Sequence, residues 1–223
     1  MKIAIISDTH SLLRPEVAEI IRESDHVLHA GDIASPETYE QIRNLMVPVH
    51  FVRGNADKEW AEGIPAEAEI ELSGYRFYMV HNRSHARKDL TGIDFFVYGH
   101  SHKYEDRKDG AITFLNPGSC GPRRFTQPVT MMVLTIADDG AVTVEKKDLS
   151  PVLQRSMKRP PRQEMDVLIK NIIKDMNANL PVPEISERNR VEQELVEEIL
   201  QIYTTHPGID MDGILYRLKF MDL

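Results

Sequence analysis

Short apolar runs separated by polar clusters open the chain, and their spacing alternates between that of strands and that of helices. Ile3-Ala4-Ile5-Ile6 is mostly β-branched and predicts a buried strand over Lys2 to Ser7. Pro15 to Glu23 places Val17, Ile20 and Ile21 on one helical face, with proline at its start. A second strand over His26 to Ala30, a second helix over Pro36 to Met46 and a third strand over Val49 to Val52 continue the rhythm. Strand, polar loop, helix and strand in this order predict a parallel sheet with crossover helices, whose ligand sites form beyond the carboxyl ends of the strands.

After Asp57 strands dominate. Ala68 to Leu72 and Tyr75 to Val80 flank Ser73-Gly74 as a hairpin, and Asp94 to Tyr98 is a further strand. Lys103 to Lys108 and Ala111 to Leu115 flank the turn-forming Asp109-Gly110, and Asn116-Pro117-Gly118-Ser119 reads as another turn. Val129 to Ala137 and Ala141 to Lys147 form a last hairpin around Asp138-Asp139-Gly140. A βαβ front half with a strand-rich back half predicts two sheets packed face to face with helices outside, over about residues 1–150. From Pro151 the texture changes. The basic, proline-broken Ser156 to Arg162 reads as a linker, followed by helices over Gln163 to Ala178 and Ser186 to Thr204 that Leu180-Pro181-Val182-Pro183 separates. His206-Pro207-Gly208 breaks the second, and Met211 to Phe220 forms a short third.

Composition narrows the setting. A hydrophobic share of 41% and a charged share of 28% describe an ordinary globular protein, and the net charge of −8 disfavours general binding to nucleic acid or anionic membranes. A local cationic site can still attract phosphate. The single cysteine, Cys120, excludes an intramolecular disulfide and suits a reducing compartment. The apolar start is too short for a signal peptide and no run approaches membrane-spanning length, so a cytoplasmic protein is expected.

The polar residues at the strand ends are Asp8, His10, Asp32, Asn55, His81, His100 and His102. They are oxygen and nitrogen donors suited to divalent transition metals, and they arrive from five separate points in the chain. His100 and His102 stand two residues apart after the apolar Phe96-Val97-Tyr98, so in extended geometry both rings lie on one side of the backbone.

Asp8-Thr9-His10, Gly31-Asp32, Gly54-Asn55, the isolated His81 and Gly99-His100-Ser101-His102 occur in the order DxH, GD, GN, H and GHxH. With Asn116-Pro117-Gly118-Ser119 they give the chain, over about residues 1–135, a pattern that resembles the calcineurin-like metallophosphoesterases, in particular their small bacterial and archaeal phosphodiesterase branch. The resemblance implies a four-layer α/β/β/α sandwich and a dinuclear metal centre. Asp8, His10 and His102 would hold one ion, Asn55, His81 and His100 the other, and Asp32 would bridge ions about 3.5–4 Å apart. Asp32, Asn55 and His81 are then the catalytic candidates, acting with a bridging hydroxide that attacks phosphorus in line with the leaving group. Manganese is the first candidate metal, and iron, zinc, nickel and cobalt accept the same ligands.

The expected activity is phosphodiester hydrolysis of a small phosphate ester. Phosphomonoester hydrolysis is an alternative, as is a scaffold that keeps the fold and works through protein contacts. Many larger relatives follow GN with a histidine that protonates the leaving group, whereas Ala56 stands here, which favours leaving groups that depart easily, such as aryl oxides. After His81 the chain reads Asn82-Arg83-Ser84-His85, where the branch often has a glycine and a second histidine. Arg83, His85 and Arg87 are therefore candidates for substrate contact or proton donation, and Arg123 and Arg124 for reaching a phosphate. Asp57 either orients a ligand or caps a turn, while His26, His29, His50 and His206 read as structural or solvent-facing and Cys120 as a small buried side chain.

The helical appendage, residues 151–223, lies outside the resemblance. Residues 198–218 resemble the first two helices of a winged helix-turn-helix, but residues 184–223 carry four Lys/Arg against nine Asp/Glu, which argues against DNA binding. Packing on the core, homo-oligomer formation or protein binding fits its apolar stripes.

Overall fold

The computed structural model describes residues 1–122, 127–150, 162–191 and 193–218. They fall into two compact units, Met1–Pro151 and Val152–Leu223.

In the first unit, β1 (Lys2–Ile6), α1 (Pro15–Arg22), β2 (His26–His29), α2 (Pro36–Arg43) and β3 (Val49–Phe51) form the alternating front half. β4 (Glu67–Leu72), β5 (Tyr75–Val80), β6 (Phe95–Val97), β7 (Tyr104–Asp109), β8 (Ile112–Pro117), β9 (Thr130–Ile136) and β10 (Val142–Asp148) follow. One sheet has the order β10-β9-β1-β2-β3 and the other β4-β5-β6-β8-β7. Both are mixed: β1, β2 and β3 run parallel while β9 and β10 join antiparallel, and β5, β6 and β8 run parallel between antiparallel β4 and β7.

The inner faces supply the core. Ile3, Ile5, Leu28, Met132 and Leu134 of the first sheet meet Phe77, Met79, Phe95, Val97 and Leu115 of the second in one apolar cluster. Burying each such side chain contributes about 1.5–3 kcal/mol, so the alternation along β5 fixes its register: a one-residue slip would exchange Phe77 and Met79 for Tyr78 and Val80. Those two belong to a separate cluster with Ile93, Phe96 and Tyr98, against which Ala86 and Leu90 pack. On the first sheet the crossover helices α1 and α2 bury Val17, Ala18, Ile21 and Ile42. On the second, the β5–β6 crossover contributes a single 3₁₀ turn, Arg83–His85, and the loop after it.

Three local expectations need correction. α2 stops at Arg43 rather than Met46, because Pro48 disfavours helix just ahead of it and Met46 turns to φ 62°. Asn116 and Pro117 belong to β8, where Pro117 pairs with Tyr104, so the turn begins only at Gly118. In the second unit, α3 (Arg162–Asn177) is followed by α4 (Val182–Asn189), α5 (Gln193–Thr205) and α6 (Met211–Arg217), where a single helix was expected over Ser186 to Thr204. The Pro181-Val182-Pro183 stretch starts α4 instead of merely separating its neighbours, since proline fits the first helical turn, and Arg190 at φ 54° ends it. Met165, Ile169, Ile172, Ile185, Leu195, Ile199 and Leu215 give this unit its own apolar core. Among the described residues, no helix is long and apolar enough to cross a membrane.

Candidate metal centre

All seven donors sit just beyond strand ends. β1 delivers Asp8 and His10, β2 Asp32, β3 Asn55, β5 His81, and β6 the segment 99–102. Five of them lie in the left-handed region: Asp8 (φ 55°), His10 (42°), Asp32 (56°), His100 (67°) and His102 (55°). Such backbone is costly for residues bearing a Cβ and persists where surrounding contacts impose it, most often at functional sites. It also corrects the expectation for the histidine pair. β6 ends at Val97, and with both residues left-handed the two rings are not aligned along an extended strand.

The rings instead go to opposite sides of Asp32. His102 Nε2 lies 3.1 Å from Asp8 Oδ1 and 3.3 Å from His10 Nε2. His100 Nδ1 lies 2.9 Å from Asn55 Oδ1, which is 3.2 Å from His81 Nε2. Asp32 faces both groups, with Oδ1 3.3 Å from His81 Nε2 and Oδ2 3.7 Å from His10 Nε2. Asp8, His10 and His102 each offer a ligand atom within 4.8 Å of the others, and so do Asp8, Asp32 and His81.

Hydrogen bonds hold the acids in place. Asp8 Oδ2 accepts from Ser7 Oγ (2.6 Å) and the His100 amide (3.1 Å), which leaves Oδ1 aimed at the two imidazoles. That oxygen is buried and makes no hydrogen bond among the described residues. Burial opposes ionisation of Asp32, but its bonds with His81 and the Ala56 amide (2.7 Å) win and hold it at about 2. Burial likewise opposes the charged form of His81, yet Asp32 and Asp8 draw its pKa above the ordinary histidine value. His81 Nδ1 lies 2.7 Å from the Ala30 carbonyl, to which it donates, so Nε2 faces the donors.

The motif glycines are steric requirements. A Cβ on Gly54 would stand 2.2 Å from Asp32 Oδ1, and one on Gly99 would stand 1.9 Å from Ser7 Oγ. The other bracing residues follow the same logic. Asp57 Oδ2 accepts from the amides of Asp32 (3.0 Å) and Gly54 (2.7 Å), and Oδ1 from that of Ala34 (2.7 Å). It therefore ties together the loops that carry Asp32 and Asn55. Asn116 donates to the Gly99 carbonyl (2.9 Å) and Ser101 Oγ (3.1 Å), while Ser119 Oγ donates to the Asp8 carbonyl (2.9 Å). Cys120 is buried, and burial raises its thiol to about 12, so it stays protonated.

His29, which carries no motif of its own, is a further brace of the site. Its Nδ1 accepts from the Gly31 amide (3.1 Å) and its Nε2 lies 3.1 Å from Thr9 Oγ1, which links the first two donor loops through a neutral ring. Its position two residues before Gly31-Asp32 was the one available signal. Burial lowers its pKa to about 4, against the opposing pull of Asp57 and Asp8. An unfolded chain takes up this proton near pH 6.5, so the neutral ring stabilises the fold fully above that pH. The contribution is lost as pH falls to about 4, over a total of about 3 kcal/mol. Urea unfolding of chelator-treated protein is expected to show a flatter decline over this window in His29→Gln than in wild type.

The cationic candidates separate. Arg83 stands over the rings of Phe114 (5.0 Å) and Tyr98 (5.8 Å) and lines a cleft that also includes His100. Arg87 pairs with Glu69 at 2.6 Å and lies over the Tyr78 ring, on the outer face of the second sheet, and the structure does not bring it to the donors. His85 is exposed, with no hydrogen bond or ion pair to the seven donors among the described residues. Arg123 and Arg124 lie outside the described residues.

A family model for the calcineurin-like phosphoesterase superfamily domain matches residues 1–139. The chain belongs to that superfamily. A probable metallophosphoesterase of Methanothermobacter thermautotrophicus is 32% identical over 150 residues, covering 61% of this chain and 86% of the relative. Among solved structures, an archaeal phosphodiesterase aligns with TM-score 0.54 and 24% identity, over 66% of this chain and all of that one. Vps29 of Entamoeba histolytica, solved with zinc, aligns with TM-score 0.51 and 26% identity, over 66% and 99% of the two chains. The two mixed sheets, with α-helices in the crossovers of the first and a 3₁₀ turn in the β5–β6 crossover of the second, are consistent with the metallophosphoesterase fold, and divalent metals are this superfamily's cofactors. The donors present here suit such an ion, because among the described residues the buried Asp8 Oδ1 lies against imidazole nitrogens without a hydrogen bond and is otherwise an uncompensated acceptor.

Proposed function

We propose that the chain is a metal-dependent phosphohydrolase that cleaves phosphodiesters at a dinuclear centre. The observation that carries this reading is the split of the donors around Asp32. One carboxylate oxygen faces the Asp8, His10 and His102 side, and the other faces the Asn55, His81 and His100 side. Asp8, His10 and His102 would hold one divalent ion and Asn55, His81 and His100 the second, with Asp32 shared; manganese is the first candidate. Ions there supply Lewis-acid charge for a phosphoryl group and lower the pKa of water so that hydroxide is available near neutral pH. The protein's part is positional. Asp32 is ionised across the physiological range, the Ala30 carbonyl fixes the His81 ring, and Asn55 offers a neutral oxygen between two imidazoles.

Four histidines and an amide against two carboxylates leave a metal-loaded centre positive, which attracts a phosphate ester. Ala56 contributes its amide to Asp32 and no acid to a leaving group. Esters of good leaving groups are therefore the best substrates, and hydrolysis of bis-p-nitrophenyl phosphate with added manganese is the direct assay. Turnover that a chelator abolishes is expected. Folded protein that hydrolyses no phosphate ester with any divalent metal would contradict the proposal. The similarity to Vps29 favours a second reading, in which the fold serves as a scaffold for protein contacts. The full donor set speaks for the enzyme, because protein binding does not require it.

A further inference from the structure

Beside the candidate metal centre opens a cleft of about 470 Å³ that shares only His100 with the seven donors. Its walls include His100, Asn82, Arg83, Tyr98, Lys103 and Glu105. The volume lies in the range of sites that hold a nucleoside-sized group. The charges in the cleft are unequal. Glu105 is engaged by the Tyr98 hydroxyl and by Arg107 at 2.9 Å, so it holds Arg83 only loosely, at 3.9 Å. Arg107 turns its other nitrogen to Asp109, at 2.8 Å. Lys103 has no carboxylate partner among the described residues, and its side chain is exposed at the cleft. A protein of net charge −8 thus presents two under-neutralised cations beside its candidate metal centre.

We infer that this cleft binds the retained substituent of a phosphodiester and selects substituents that carry a further phosphate. The inference rests on the phosphodiesterase reading above. His100 is both a donor of the centre and a wall of the cleft, so a phosphoryl group at the centre projects one of its ester arms between Arg83 and Lys103. Arg83 is pre-positioned by the Phe114 and Tyr98 rings, which reduces the entropy lost when it takes up phosphate as a fork. Lys103 adds a point charge.

The test uses two p-nitrophenyl esters of thymidine 5′-phosphate, one with and one without a 3′-phosphate, on the manganese-loaded full chain. Both release the same p-nitrophenolate, so only the retained arm differs. Two partly exposed cations favour the 3′-phosphorylated ester by about tenfold in kcat/KM. The double variant Arg83→Gln/Lys103→Gln is expected to bring that ratio close to one. Calorimetric titration supplies a readout that needs no turnover: thymidine 3′,5′-bisphosphate should bind wild type about tenfold more tightly than thymidine 5′-phosphate, and the double variant should bind the two alike. A ratio near one in wild type, or the same preference in the double variant, overturns the inference. Hydrolysis of bis-p-nitrophenyl phosphate without any 3′-phosphate preference would reject the cleft while leaving the hydrolase. A binding preference in protein that cleaves no diester would reject the hydrolase and leave the cleft.

Discussion

Asp32→Asn is expected to lower kcat for bis-p-nitrophenyl phosphate by about a thousandfold, the equivalent of the several kcal/mol that metal-borne charge stabilisation supplies. The substitution keeps the shape of the side chain and changes two things. It removes the negative charge that the two proposed ions would need between them, and it replaces one acceptor oxygen by an NH₂ donor. If that donor faces Ala56 it meets another N–H, and if it faces His10 it has turned its remaining oxygen away from one ion's side. Either orientation loses one of the two contacts. Circular dichroism should be unchanged because the substitution is isosteric. A folded variant that retains more than a tenth of wild-type turnover would show that Asp32 does not join the two halves of the site.

The second large effect is on the frame. Asp57→Ala leaves the amides of Asp32, Ala34 and Gly54 without their common acceptor. Hydrogen bonds to a charged group are worth about 1.5–3 kcal/mol each, and partial access of water to the vacated space offsets some of the loss. A destabilisation of about 3 kcal/mol is expected, which lowers Tm by roughly 10 °C in a domain of this size. Because the same amides belong to the loops carrying Asp32 and Asn55, metal affinity should fall about 10–100-fold, as happens when the supports of metal ligands are removed. Asp57→Asn retains one acceptor oxygen and should fall between the two. Differential scanning calorimetry and a manganese titration read the two effects separately. An Ala variant that melts and binds metal like wild type would return Asp57 to the role of a turn cap.

The sequence made the strand ends legible because their apolar runs are short, β-branched and terminated by motif residues. Ile3 to Ile6 could be placed without tertiary information, as could the parallel front half. Backbone conformation was less legible. The spacing of His100 and His102 predicts aligned rings only if the chain is extended, and the left-handed turn that separates them comes from tertiary contacts: the His100 amide to Asp8, and Asn116 to the Gly99 carbonyl. Supporting residues were harder still, since a brace such as His29 has no pattern of its own beyond proximity to a motif. The cleft beside His100 needed two separate stretches, 82–83 and 98–105, to be brought together. In the second unit, the proline pair that looked like a boundary starts a helix, because the missing amide hydrogen costs nothing in the first turn.

The most direct test is the number of ions the site takes. Metal-free protein titrated with manganese, followed by equilibrium dialysis and elemental analysis, should bind two ions per chain. Asp32→Asn should weaken both, and His102→Ala should weaken one more than the other. Wild-type protein that stays folded and binds one divalent ion or none would contradict a dinuclear centre built from these seven residues.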